Sequence, residues 1–144
     1  MVTVTSSTPG DTFTRVTWLS PEKIVDGIRR LKERYNTRYF MFADDMFNIS
    51  PKWAEDVADA MIAAKLDVLW SDCAFARDVS PALLQKLRRA GAIRLVWGME
   101  SASPRLQRMV NKNLDLDYLA DVLRWSHEAG IYNSLEVIAG MPTE

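Results

Sequence analysis

The sequence predicts an α/β fold with about four parallel strands and five helices. Three observations predict it. Four of the six prolines follow a serine, at Ser20-Pro21, Ser50-Pro51, Ser80-Pro81 and Ser103-Pro104, and the first three pairs lie 30 residues apart. Apolar residues recur at helical spacing after these pairs. Short, mostly continuous apolar runs lie between them. Serine accepts a bond from the orphan amides of a helix start, and proline at the next position loses no helical hydrogen bond. A 30-residue step is the length of one strand-plus-helix unit.

Each element follows in order. Residues 13–18 read as extended and lead into the first helix. That helix starts at Pro21 and carries Ile24, Val25, Ile28, Leu31 and Tyr35 on one face. The second starts at Pro51, with Trp53, Val57, Met61 and Ala64. The third starts at Pro81, with Leu83, Leu84 and Leu87, and Gly91 stops it. A shorter helix runs from Pro104. A fifth covers residues 117–129, and Gly130 ends it. The apolar runs are residues 39–43, 68–70, 93–97 and 135–139. They are mostly continuous rather than alternating, broken only by Arg94 and Glu136, which fits parallel strands covered on both faces. Four such units make about half of a barrel, with both sheet edges open. They form either a small open sheet or a piece of something larger, with self-association through the open edges as one outcome.

Composition narrows the function classes. Of 144 residues, 48% are apolar, so a disordered chain is excluded. Lys+Arg is 18 against Asp+Glu 19, a net charge of -1, so nothing signals a nucleic-acid partner. The basic cluster Arg29, Arg30, Lys32, Arg34 and Arg38 reads as a solvated helix end. Cys73 is the single cysteine and His127 the single histidine, which excludes an internal disulfide and a His-rich zinc site. No apolar run approaches the ~18 residues of a membrane span, and residues 1–7 do not resemble a signal peptide. The expectation is a cytoplasmic protein with no membrane partner.

The candidate site lies at the carboxyl ends of the strands, where parallel α/β folds bind ligands. Asp44-Asp45, Ser71-Asp72, Glu100-Ser101 and Gly140-Met141-Pro142 stand there. Asp45, Asp72 and Glu100 follow one another at steps of 27 and 28 residues. Such carboxylates can grip a cation, accept bonds from ribose hydroxyls or hold a divalent metal. Gly98 and Gly140 suit close backbone approach to a ligand. Trp70 and Trp97, ending strands, are placed to line the mouth. No dinucleotide fingerprint or P-loop is present.

At these strand ends the chain resembles the radical SAM superfamily, enzymes that cleave S-adenosylmethionine with an iron–sulfur cluster. The likeness is carried by Phe40-Met41-Phe42-Ala43-Asp44-Asp45, by Trp97-Gly98-Met99-Glu100-Ser101 with Arg105, Leu106, Met109 and Lys112, and by Ala139-Gly140-Met141-Pro142. It is nearest to the cobalamin-associated subgroup and the methylthiotransferases. The resemblance implies a partial TIM-type (β/α) barrel fragment: a single partial core domain over residues 1–144, with the first strand and cluster loop missing or incomplete. It places Asp44 and Asp45 at the methionyl end of S-adenosylmethionine, Glu100 and Ser101 near the ribose, and Gly140, Met141 and Pro142 near the adenine. Ser71 and Asp72 line the same mouth. The parent reaction passes one electron from a [4Fe-4S] cluster to the sulfonium, releasing methionine and a 5′-deoxyadenosyl radical that attacks a further substrate.

The family holds its cluster with three cysteines spaced C-x-x-x-C-x-x-C. Through Ser7-Thr8-Pro9-Gly10, which resembles the stretch after the last of those cysteines, the resemblance puts Thr3 and Ser6 at the second and third positions. Neutral hydroxyls are poor substitutes for thiolates. The expectation is therefore a fragment that binds no cluster and is inactive alone. Two alternatives stand beside it. One is a divalent-metal barrel enzyme built on Asp45, Asp72 and Glu100. The other is a non-catalytic nucleoside-binding or interaction domain.

Overall fold

The computed structural model describes residues 3–4, 16–43 and 46–142. In chain order the elements are β1 (Thr3–Val4), β2 (Val16–Thr17), α1 (Pro21–Tyr35), β3 (Tyr39–Met41), α2 (Pro51–Ala63), β4 (Leu69–Ala74), α3 (Pro81–Arg89), β5 (Ala92–Glu100), α4 (Pro104–Met109), α5 (Leu116–Glu128) and β6 (Tyr132–Val137). β1 and β2 form a small antiparallel pair. The main sheet has the order β3-β4-β5-β6, and every pairing in it is parallel. Four parallel strands and five helices match the expected fold class.

The Ser-Pro pairs do what their chemistry requires. Ser20, Ser50, Ser80 and Ser103 are N-caps, each with proline in the first turn. The first three hydroxyls accept the backbone N–H of Lys23, Trp53 and Leu83. Ser103 caps α4 without a side-chain bond. Gly91 and Gly130 follow α3 and α5 at φ +102° and +77°, where an L side chain is strained.

The helices form one layer in which α1 packs on α2, α2 on α3 and α3 on α5. They cover one face of the sheet. Trp70 in β4 and Ala92, Leu95 and Trp97 in β5 lie on that face in the core. Phe42, Phe47, Trp53 and Trp70 make an aromatic chain with centroid spacings of 4.8–5.6 Å, distances at which tilted rings attract. Trp70 donates its indole N–H to Ala90 O, and Trp97 to Asn133 Oδ1. Both tryptophans are thus core residues inside their strands. They do not line the mouth, because strand parity turns them toward the helices.

The opposite face carries Met41, Ser71, Arg94 and Tyr132, which the register places side by side. Met41 is 75% and Tyr132 69% exposed, so among the described residues nothing covers this face at the sheet edges. The basic cluster is used structurally. Arg29 pairs with Asp26, Arg38 pairs with Asp67, and Lys32 donates to the carbonyls of Leu66 and Asp67. Between α2 and α3, Lys86 bonds Asp59, which holds its ammonium above the ordinary lysine value.

Candidate functional site

The site is best built from the end of β5 outward. Glu100 is the last residue of that strand and adopts φ +64°. Most other non-glycine residues at positive φ are Asn or Asp, which tolerate it, and Lys65 sits in the routine turn after a helix. A glutamate there costs about 1–2 kcal/mol and needs external support. Ser101 N–H bonds Met99 O across Glu100, closing a three-residue turn. Gln107, 3% exposed, donates to Met99 O at 2.6 Å and Ser101 O at 2.5 Å, and its Oε1 accepts Leu114 N–H. One buried amide therefore clamps both sides of the strained turn. The β5–β6 register shifts between Gly98 and Glu100, and Ile138 N–H bonds Glu100 O.

The Glu100 carboxylate accepts a bond from Lys112 Nζ at 3.0 Å, with the two side chains 21% and 23% exposed. Lys112 reaches it because Asn111 and Asn113, on either side, both adopt positive φ and fold the chain back after the short α4. Gly98 makes room for the pair. A Cβ on Gly98 would stand 2.9 Å from both Glu100 Oε1 and Lys112 Nζ. Lys112 Nζ also lies 5.3 Å from the centroid of the Phe75 ring, within cation–π range.

The rim beside it comes from β4 and the loop after β3. Phe42 N–H bonds Ser71 O, and Phe47 N–H bonds Cys73 O. Asn48, 6% exposed, continues this pairing with its side chain. Its Nδ2 donates to Phe75 O at 2.7 Å, and its Oδ1 accepts Phe75 N–H at 2.8 Å. Between these anchors and the end of β4, beside Lys112, lies a cavity of about 350 Å³ lined by Met46, Asn48, Ile49, Phe75, Arg77, Asp78 and Lys112.

The residues expected from sequence fall as follows. Asp44 and Asp45 lie outside the described residues. Ser71 faces the open side, in register with Arg94. Asp72 lies inside β4, two residues before its end, on the helix-covered face with Leu95; it is 2% exposed and its Oδ1 accepts Cys73 N–H at 2.7 Å. Glu100 is at the rim, and Ser101, 9% exposed, accepts Ser103 N–H with its hydroxyl. Gly140 has φ +84°, Met141 is buried and Pro142 exposed. Among the described residues, no group of three or more His, Cys, Asp or Glu is placed to hold a metal ion. Sequence reasoning missed Asn48, Arg77 and Gln107, and read Lys112 only as part of a pattern. The asparagines flanking Lys112 were its available signal.

The profile of the Radical SAM superfamily matches residues 6–144. The chain belongs to the radical SAM superfamily. It is 23% identical over 125 residues to an uncharacterized methyltransferase of Pyrococcus horikoshii, covering 87% of this chain and 27% of that protein. It is 28% identical over 128 residues to the anaerobic magnesium-protoporphyrin IX monomethyl ester cyclase of Cereibacter sphaeroides, covering 86% of this chain and 21% of that one. Among solved structures, it resembles the radical S-adenosylmethionine methyltransferase TsrM of Kitasatospora setae, with cobalamin and a [4Fe-4S] cluster bound. The TM-score is 0.80 at 17% identity, over 92% of this chain and 27% of that one. Coproporphyrinogen III oxidase of Escherichia coli gives 0.61 at 19% identity, over 86% and 31%. The chain thus spans about a quarter of the curated relatives it matches. Its sheet and helices are part of a radical SAM TIM-type barrel. Membership implies S-adenosylmethionine and an iron–sulfur cluster as the family's cofactors, and a substrate besides. No helix among the described residues is long and apolar enough to cross a membrane.

Proposed function

We propose that residues 1–144 form a single partial radical SAM core domain whose strand ends hold S-adenosylmethionine. The observation that carries this reading is the Glu100 turn. A strained glutamate, clamped by Gln107 and ion-paired to Lys112 above the bare Cα of Gly98, presents carboxylate oxygens at the carboxyl ends of a parallel sheet. Backbone strain held in place by buried bonds is characteristic of binding sites. Glu100 accepts bonds from the ribose hydroxyls, with Ser101 behind it in the same turn. Ser71 lines the mouth, and Asp72 braces it from the covered face through Cys73 N–H. Gly140, Met141 and Pro142 flank the adenine, and Asp44 and Asp45 the methionyl end.

The cluster does not fit the residues present. It takes three thiolates, and the chain has one cysteine, Cys73, half-buried in β4. Electron transfer to the sulfonium is therefore not assigned to this chain, and we read it as inactive alone. What its own residues supply is binding and orientation of the nucleoside. The strand edges at β3 and β6 support self-association, and the chain's features fit a cytoplasmic protein.

Calorimetry with S-adenosylmethionine and S-adenosylhomocysteine tests the reading. Both ligands should release saturable heat, and Glu100→Gln should weaken each about tenfold, or ~1.4 kcal/mol. Silence with both ligands would leave the family likeness as ancestry.

A further inference from the structure

We propose that Arg77, seated on the Phe75 ring, recognises the acid group of the substrate taken at this rim: a carboxylate or phosphate on a small apolar body. The assignment names a substrate class and rests on the S-adenosylmethionine reading above. Arg77 lies three residues beyond the end of β4 and is exposed. Its guanidinium carbon lies 5.1 Å from the Phe75 centroid. Lys112 Nζ lies 5.3 Å from the same centroid, so two cations border one ring.

The two cations differ in one respect. Lys112 is neutralised by Glu100 at 3.0 Å. Arg77 has no ion-pair partner among the described residues. Asp78, its neighbour, lines the same cavity without pairing with it. A guanidinium lying over a ring keeps its N–H edge free for two parallel bonds, the geometry that matches carboxylate and phosphate oxygens.

The rest of the cavity suits an organic acid better than a bare ion. Met46, Ile49 and Phe75 supply apolar walls. The Asn48 amide is already committed to the Phe75 backbone at both its nitrogen and its oxygen. The remaining unpaired charge of positive sign is Arg77. A volume of about 350 Å³ is at the small end of ligand sites. It lies beside Glu100 through the shared Lys112, so an acid anchored on Arg77 would be held next to a nucleoside held on Glu100.

The experiment is a titration of the 144-residue chain with hexanoate, hexyl phosphate and hexanol, followed by two-dimensional NMR of backbone amides and arginine Nε–H groups. Hexanoate or hexyl phosphate should shift Arg77 Nε–H and the amides of residues 46–49 and 75–78 saturably, and hexanol should not. Whichever acid binds more tightly identifies the acid group. Arg77→Gln should weaken the acid at least tenfold, and Arg77→Lys, which keeps the charge without the planar fork, should weaken it less. Unchanged melting temperatures would show that both variants fold. Equal shifts with hexanol, no shifts with either acid, or unchanged acid affinity in Arg77→Gln would each overturn the proposal. S-adenosylhomocysteine is titrated in parallel. Its binding with no acid response sinks the Arg77 assignment alone. An acid response with no nucleoside binding keeps Arg77 as an acid site and sinks the S-adenosylmethionine reading.

Discussion

Gly98 shows how one missing side chain can serve a site rather than a fold. Its Cβ would meet Glu100 Oε1 and Lys112 Nζ, both the far ends of flexible side chains. These can swing aside at little cost. Alanine is also favoured over glycine within a strand by about 0.5–1 kcal/mol. Gly98→Ala should therefore leave the melting temperature nearly unchanged while separating the ion pair. Affinity for S-adenosylhomocysteine should fall to about the level of Glu100→Gln. A normal affinity in Gly98→Ala would detach the glycine from the site. Gly91 is the opposite case. Its Cβ would stand 2.1 Å from Val68 O, a backbone atom that cannot yield, so this glycine serves the fold.

Four Ser-Pro pairs start four helices, yet their serines are not equivalent. Ser80 accepts Leu83 N–H at 3.1 Å, whereas Ser103 makes no such bond. Ser80→Ala should cost about 1 kcal/mol and lower the melting temperature by about 2–4 °C. Ser103→Ala should fall within about 0.5 kcal/mol of the parent. Thermal unfolding of the two variants side by side checks this, and equal losses would contradict it. The difference has a purpose at the level of the element. The segment around α4 is held by Gln107, a residue of the helix itself, rather than by its cap. That arrangement ties the short helix, the end of β5 and the Lys112 loop into one unit.

Among the described residues, the main parallel sheet has one face covered and both edges bare. Parallel sheets are normally covered on both faces, and edge strands normally carry charges or prolines against unwanted pairing. β3 reads Tyr39-Phe40-Met41 and has neither. Tyr39 is 69% exposed, and Val137 on the other edge 62%. The 144-residue chain should accordingly self-associate with concentration in sedimentation experiments. Met41→Lys, which puts a charge on the bare edge, should shift it toward monomer. Monomeric behaviour at every concentration would show that the uncovered strands are self-sufficient.

How much of this was legible in the sequence depends on the range of the interactions involved. Helix starts were legible because a serine hydroxyl, three residues of backbone and a proline ring decide them locally. The parallel strands were legible from mostly continuous apolar runs, and the rim position of Glu100 from its place after one. The side of the sheet that Asp72, Trp70 and Trp97 face was not, since a register shift of one residue reverses it, and only packing against α2, α3 and α5 sets that register. Nor was the Gln107 clamp, which spans residues 99 to 114 and exists only because the chain turns back at Asn111 and Asn113. The sequence by itself determined the order of the parallel strands and the helices, and the family, but not β1. The tertiary structure alone decided which polar groups meet at the strand ends, because those meetings depend on distances between residues that no local rule connects.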